Sequence, residues 1–162
     1  MGTLLRTAVC FDWSPVLLLP NCCDAFNDKV LKACKGSVFK VPVIAQHHED
    51  LSALLKSKNL IPVAATVGHD GALTKFPRHL CEIKRWSLEG MEAHEIMEEV
   101  NKRGKGVCLF LGSEGQGLSE EVHQLCSRSI KIPQSSQMES LNVAVAGGVL
   151  MYLLSPFARS RS

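Results

Sequence analysis

Two stretches in the last third of the chain constrain its architecture most: Gly106–Gly117 (GVCLFLGSEGQG) and, after a short interval, Ile130–Val149 (IKIPQSSQMESLNVAVAGGV). Val107–Leu111 is an unbroken apolar run bounded by turn residues, the pattern of a strand buried on both faces. Gly112, Gly115 and Gly117 then leave the backbone bare, so amide N–H groups can approach a ligand closely. Ser119 follows as a candidate helix N-cap, with Glu120 and Glu121 in the first turn, where the helix dipole favours acids. Strand, glycine loop and helix N-terminus outline a nucleotide-binding arrangement. The glycine order is G-x-x-G-x-G, neither the dinucleotide G-x-G-x-x-G nor the phosphate-loop G-x-x-x-x-G-K-[ST]. Glu114 would also repel a phosphate, so a neutral or cationic ligand suits this loop better. The plain alternative is a tight strand-to-helix connection.

In the second stretch Ser129–Pro133 alternates as a short strand, and Gln134–Ser140 is a polar loop without a turn glycine. From Leu141 a helical pattern begins that is almost wholly apolar, through Val143, Ala144, Val145, Ala146, Gly147, Gly148, Val149, Leu150 and Met151. Asn142 is the exception, next to Ser140 at the helix entrance. Ser and Asn cap helices routinely. The functional alternative is a pair of neutral hydrogen-bonding groups facing a substrate.

The remainder reads as alternating elements. Gly2–Phe11 predicts a helix with Leu4, Leu5, Ala8 and Phe11 on its apolar side, and Val16–Leu19 a buried strand. A helix capped by Asp24 or Asn27 runs through Lys35 and closes at Gly36. Val38–Ile44 predicts a strand, Asp50–Lys58 a helix, and Ile61–Val67 a strand ending at Gly68. Met91–Lys102 predicts a helix with Ala93, Ile96, Met97 and Val100 on one face, and its glutamates read as solvent-facing charges. Strands alternating with helices indicate a parallel α/β sheet whose ligands gather at the carboxyl ends of the strands. Lys29, Lys32 and Lys35 recur at helical spacing, as a solvated face or a phosphate-contacting stripe. Trp86 reads as a packing residue, and residues 156–162 as a flexible tail.

Composition narrows the class. The 162 residues suffice for one domain with a sizeable core, and 46% hydrophobic against 21% charged residues marks a globular chain. A net charge of +2 does not by itself argue for nucleic acid. Seven cysteines without a C-x-x-C pair favour reduced, mostly buried thiols in an intracellular, reducing compartment, either cytoplasm or organelle. The six histidines lack ligand spacing, so no metal is expected. No stretch is long enough to span a membrane, and the start of the chain does not read as a signal peptide.

LGSEGQGLS followed by IPQSSQMESLNVAVAGGVLMY closely resembles motifs two and three of the SpoU family of RNA ribose 2′-O-methyltransferases, within the SPOUT superfamily of S-adenosylmethionine enzymes. The two motifs span most of Leu109–Tyr152. The family's first motif, N-x-G-x-x-x-R-[ST]-A, is matched from Gly2 through Arg6, Thr7 and Ala8; its asparagine and the family's first strand would fall before Met1.

The resemblance implies an α/β sheet carrying a deep trefoil knot near its C-terminus, a homodimer, and S-adenosylmethionine held among the knot's loops. The implied cofactor-binding residues are Thr66, Val67, Gly68, Leu111, Gly112, Gly115, Gly117, Ile132, Met138 and Leu141. It implies methyl transfer to a ribose 2′-hydroxyl of tRNA or rRNA, with Arg6, Glu114, Ser140 and Asn142 as the polar active-site residues. An arginine does not deprotonate, so Arg6 is expected to orient the RNA phosphate and stabilise a developing alkoxide rather than act as base. The competing expectation is a non-catalytic RNA-binding or dimerisation module with the same fold. A dinucleotide-binding oxidoreductase fails on its fingerprint.

Overall fold

The computed structural model describes residues 1–66, 91–113, 115–133, 137 and 140–158. Helix α1 (Gly2–Cys10) leads to strand β1 (Val16–Leu18), helix α2 (Asp28–Cys34), a 3-10 turn (Ser37–Phe39) and strand β2 (Val43–Ala45). Helix α3 (His48–Ser57), strand β3 (Leu60–Thr66) and helix α4 (Met91–Arg103) follow. Strand β4 (Gly106–Phe110), helix α5 (Glu120–Leu125), strand β5 (Arg128–Lys131) and helix α6 (Val143–Leu153) complete the order, before a second 3-10 turn at Pro156–Ala158.

Every strand pairing among the described residues is parallel, as the alternating pattern predicts. The strands form two sheets, β1–β2 and β4–β3–β5, where a single sheet was expected. In the larger one, β3 is central: Ala64 lies opposite Phe110 of β4, and Thr66 opposite Lys131 of β5. Pro62 has no N–H to give a ladder. It occupies a part of β3 that pairs only with β4, because β5 joins from Val63 onward.

Three apolar clusters hold the layers together by burial of side chains whose transfer from water is favourable. Ile61, Val63 and Ile130 of the sheet pack with Ala93 and Ile96 of α4 and with Leu150 and Leu154. Leu5 of α1 packs with Val30 and Cys34 of α2, and with Val38 and Val41. Leu51 and Leu55 of α3 pack with Phe110 and Val122, and Leu17, Leu19 and Leu118 close over them, which joins the smaller sheet to the larger. Glu99 ties α4 to β5, accepting from Arg103 at 2.8 Å and Arg128 at 2.9 Å.

Several expectations need correction. The predicted strand over Val38–Ile44 is a 3-10 turn followed by the shorter β2, because Val38 and Val41 turn inward onto α1 and α2, and Pro42 cannot donate to a ladder. Of the tail assigned to residues 156–162, Pro156–Ala158 is a 3-10 turn anchored by the buried Ser155, whose hydroxyl donates to the Tyr152 carbonyl at 2.7 Å. Among the six described thiols burial does not prevail: Cys10, Cys22 and Cys23 are exposed, while Cys34 is buried and Cys108 and Cys126 half-buried.

Candidate functional site

Parallel strands place all their carboxyl ends together, and the loops leaving β3, β4 and β5 therefore share one end of the sheet. Leu111 and Gly112 follow directly on Phe110, which lies opposite Ala64 two residues before Thr66, while Lys131 flanks Thr66 on the other side. The Thr66 hydroxyl donates to the Ile130 carbonyl at 3.4 Å, fastening the ends of β3 and β5. Thr66, Leu111, Gly112 and Ile132 are thus gathered, each half-buried. Val67, Gly68, Glu114 and Met138, which the resemblance assigns to the same site, lie outside the described residues, as does Trp86.

The glycine loop is closed on itself. Ser113 N–H donates to the Gly117 carbonyl at 3.1 Å, and Gly117 N–H donates back to the Ser113 carbonyl at 3.0 Å. The Ser113 hydroxyl oxygen also accepts from Gln116 N–H at 3.1 Å. Gly117 turns the chain with φ of 68°, in the region glycine adopts at no steric cost. A Cβ on Gly112 would lie 2.7 Å from the Gly117 carbonyl oxygen, so this position is glycine because the loop folds over it. Gly115 is exposed, with nothing within 4 Å of the position its Cβ would take, so the loop's tip offers bare backbone. Ser113 organises this loop and was missed; the signal was a serine followed three residues later by an amide that its hydroxyl can accept from.

Asn142 caps α6: its side-chain oxygen accepts from Ala144 N–H at 2.9 Å. Ser140 is exposed and Leu141 half-buried beside it. The glycine loop and this helix meet directly. A Cβ on Gly147 would lie 2.8 Å from Leu111 Cδ1 and 2.6 Å from Leu4 Cδ2 of α1, so the first, second and third motifs converge on one small residue. The two helices run in the same direction: Thr7 faces Gly148, and Phe11 stacks tilted on Tyr152 with centroids 5.5 Å apart.

Arg6 stands apart from this convergence. On α1 it shares the exposed face with Thr3 and Cys10, opposite Leu4 and Phe11, which meet α6. The structure therefore seats Leu111, at the base of the glycine loop, on the middle of α6, and leaves Arg6 facing solvent. The apolar helix α6 is not covered all round. Val145 (54% exposed) and Tyr152 border an open apolar groove of about 460 Å³ with Thr7, Phe11 and Val149.

Near the site, the Glu121 carboxyl is held below the usual carboxylate range by its own backbone N–H and by the Ser119 hydroxyl, with His48 adding to the effect. His48 begins α3, so α3 and α5 start side by side. Glu98 is paired with Lys102 at 2.9 Å, and Glu99 with two arginines, so both act as structural ion-pair partners. Among the described residues no group of three or more His, Cys, Asp or Glu is placed to hold a metal ion, and no helix is long and apolar enough to cross a membrane.

Comparison with known proteins agrees with this geometry. The chain is 32% identical over 154 residues to an uncharacterized tRNA/rRNA methyltransferase of Synechocystis sp., covering 94% of this chain and 47% of that protein. It is 29% identical to the 23S rRNA (guanosine(2553)-2′-O)-methyltransferase RlmP of Bacillus subtilis, over 95% of this chain and 52% of that one. The crystal structure of an rRNA methyltransferase from Sinorhizobium meliloti superposes with a TM-score of 0.71 at 25% identity, covering 94% and 49% of the two chains. The AdoMet-bound form of that enzyme superposes with a TM-score of 0.70 at 24% identity, over the same shares of the two chains. The chain spans about half the length of the curated relatives it matches. The model of the SpoU rRNA Methylase family matches residues 1–152, and the chain belongs to that family.

Proposed function

We propose that this chain is the methyl-transfer domain of an RNA ribose 2′-O-methyltransferase that uses S-adenosylmethionine and acts on rRNA or tRNA. The observation that carries the reading is that the carboxyl ends of β3, β4 and β5 share one end of the sheet with a closed glycine loop, whose leading residue Leu111 is seated on Gly147 in the middle of α6. The family assignment and the AdoMet-bound relative support it.

The residues present fit such a cofactor. Half-buried Leu111, Ile132 and Leu141 supply apolar surface for an adenine, and the bare backbone at Gly115 supplies hydrogen-bonding groups without side-chain bulk. When bound, S-adenosylmethionine supplies an electrophilic methyl group, so the protein's task is binding and alignment. Asn142 and Ser140, at the mouth of α6, orient the acceptor ribose. Arg6, permanently charged and facing away from its own chain's glycine loop, holds an RNA phosphate and favours the developing alkoxide at the site of a second copy. The finer reading is a trefoil-knotted single domain that pairs with a second copy. The apolar groove between α1 and α6, with Val145 and Tyr152 at its surface, is the face we assign to that homodimer.

Calorimetric titration with S-adenosylhomocysteine beside a measured solution mass tests the proposal. Saturable binding by a dimer is expected, followed by transfer of a labelled methyl group to ribose in rRNA or tRNA. A folded chain that binds no S-adenosylhomocysteine would favour a non-catalytic module instead.

A further inference from the structure

Phe26 and Phe39 are large apolar side chains left in solvent, 53% and 76% exposed, and they face each other with ring centroids 6.3 Å apart, tilted by 49°. Neither is exposed through a loose backbone. The Asp24 carboxylate accepts from Phe26 N–H at 2.9 Å, Asn27 donates to the Asp24 carbonyl at 2.5 Å, and Asn27 then caps α2 through Val30 N–H. Phe39 ends a 3-10 turn whose other two residues are buried. The turns that fix these rings hold them outward.

Four exposed lysines lie in the same stretch of chain as the pair. Lys29 and Lys32 lie on the exposed side of α2, Lys35 follows its last residue, and Lys40 follows Phe39. None of the four makes an ion pair with a described residue. Residues 21–40 hold these four lysines against Asp24 and Asp28, an excess equal to the net charge of the entire chain. Protein–protein interfaces are depleted in lysine, whereas single-stranded nucleic acid is held by aromatic rings that stack on bases and cations that track the phosphates.

The patch also leads to the site already described. Phe26 borders a groove of about 440 Å³ at the carboxyl ends of β1 and β2, lined further by Asn21, Cys22, Asp24, Gln46 and His47. Leu19, at that end of β1, packs in the same cluster as Leu118, which closes the glycine loop. His48, next to His47, lies within electrostatic reach of Glu121 at the start of α5. The groove beside Phe26 is thus linked to the segment that follows the glycine loop through the cluster that Leu19 and Leu118 share and through His48 and Glu121.

We infer that Phe26, Phe39 and the lysines around them form a docking surface for single-stranded RNA, stacking an unpaired base that flanks the methylated nucleotide while Lys29, Lys32 and Lys40 contact its phosphates. The inference rests on the RNA-methyltransferase reading for its partner, but it has its own test.

Binding of a short fluorescein-labelled oligoadenylate by anisotropy is compared for the parent chain, Phe39→Ala, Phe39→Trp and Lys29→Gln/Lys32→Gln, beside S-adenosylhomocysteine calorimetry and solution mass. Phe39→Ala is expected to weaken RNA binding about tenfold with the slope against log salt unchanged, as for loss of one base stack. Phe39→Trp is expected to restore it. The double lysine variant is expected to reduce the slope by about 0.7 per lysine removed. S-adenosylhomocysteine affinity and thermal melting stay at parent values in every case, because these side chains lie outside the core and the cofactor loops. The inference is overturned if the parent chain does not bind the oligonucleotide, or if all variants bind it equally. It is also overturned if Phe39→Ala lowers the solution mass, which marks the patch as a contact between copies. Unaltered RNA binding with intact cofactor affinity sinks only the patch, while patch-dependent RNA binding without cofactor affinity sinks only the methyltransferase reading.

Discussion

A Cβ on Gly112 would stand 2.7 Å from both the Gly117 carbonyl oxygen and the Leu118 backbone nitrogen. The atoms in the way are backbone of a loop held by a reciprocal pair of hydrogen bonds, so they can yield only if the loop opens. Gly112→Ala is therefore expected to cost about 1–3 kcal/mol of stability, the usual range for overpacking. It is also expected to weaken S-adenosylhomocysteine binding at least tenfold. Gly115→Ala, with open space around it, is the control and should leave stability near parent values. Thermal melts and calorimetry on both variants decide it; undiminished binding by Gly112→Ala would remove the loop from the site.

Arg6 projects into solvent, so Arg6→Ala should melt with the parent chain and retain S-adenosylhomocysteine affinity. Methyl transfer should fall by two orders of magnitude or more, as for loss of a group that stabilises charge developing in the transition state. Turnover measured with labelled cofactor checks this, and unchanged turnover sinks the assigned role.

Asn142 has a structural duty that is visible and a chemical one that is proposed, and two substitutions separate them. Asn142→Ala removes the oxygen that accepts from Ala144 N–H and should cost about 1 kcal/mol in a chemical denaturation curve. Asn142→Asp keeps that acceptor and should recover the stability. If the amide also orients the ribose, Asn142→Asp remains impaired in methyl transfer; full activity would confine the residue to capping.

The thiols divide by environment. Burial pushes Cys108 up to about 12, with Cys126 nearby adding to the effect, and burial pushes Cys126 up to about 11. At pH 8 iodoacetamide should modify Cys10, Cys22 and Cys23 while sparing Cys34, Cys108 and Cys126 in the native chain, as peptide mapping by mass spectrometry will show. The pH dependence has a definite sign. Both groups hold their protons more tightly when folded, so above about pH 9 the unfolded chain binds fewer protons than the native one. Stability from these two sites is complete below that pH and is lost as pH rises toward 11 and 12. Melting temperatures over that range should fall more steeply than in a Cys108→Ala/Cys126→Ala variant.

Local patterns carried most of the element assignments. Of the apolar side expected for α1, Leu5 and Ala8 are buried and Leu4 and Phe11 half-buried; Asn27 capped α2, Lys35 and Gly36 closed it in left-handed conformations, and Ala93 and Ile96 gave the buried face of α4. The segment Val38–Ile44 misled because a stretch rich in β-branched residues looks the same whether it pairs with a strand or turns inward beneath a helix. Only the neighbours at Leu5 and Val30 decide between them.

The sequence alone determined that parallel strands alternate with helices, that a glycine loop follows an apolar strand, and that Asn142 stands at a helix entrance. These follow from side-chain periodicity and backbone freedom, which act over a few residues. Tertiary structure decided what lies beside what. It folded the glycine loop back onto Gly112, seated Leu4 and Leu111 on the same glycine of α6, turned Arg6 to solvent, and left Phe26 and Phe39 facing one another among lysines. Contacts between residues more than a hundred positions apart, such as Leu4 with Gly147 or Trp13 with the Met151 carbonyl, depend on how whole layers pack, and no local pattern in the chain encodes them.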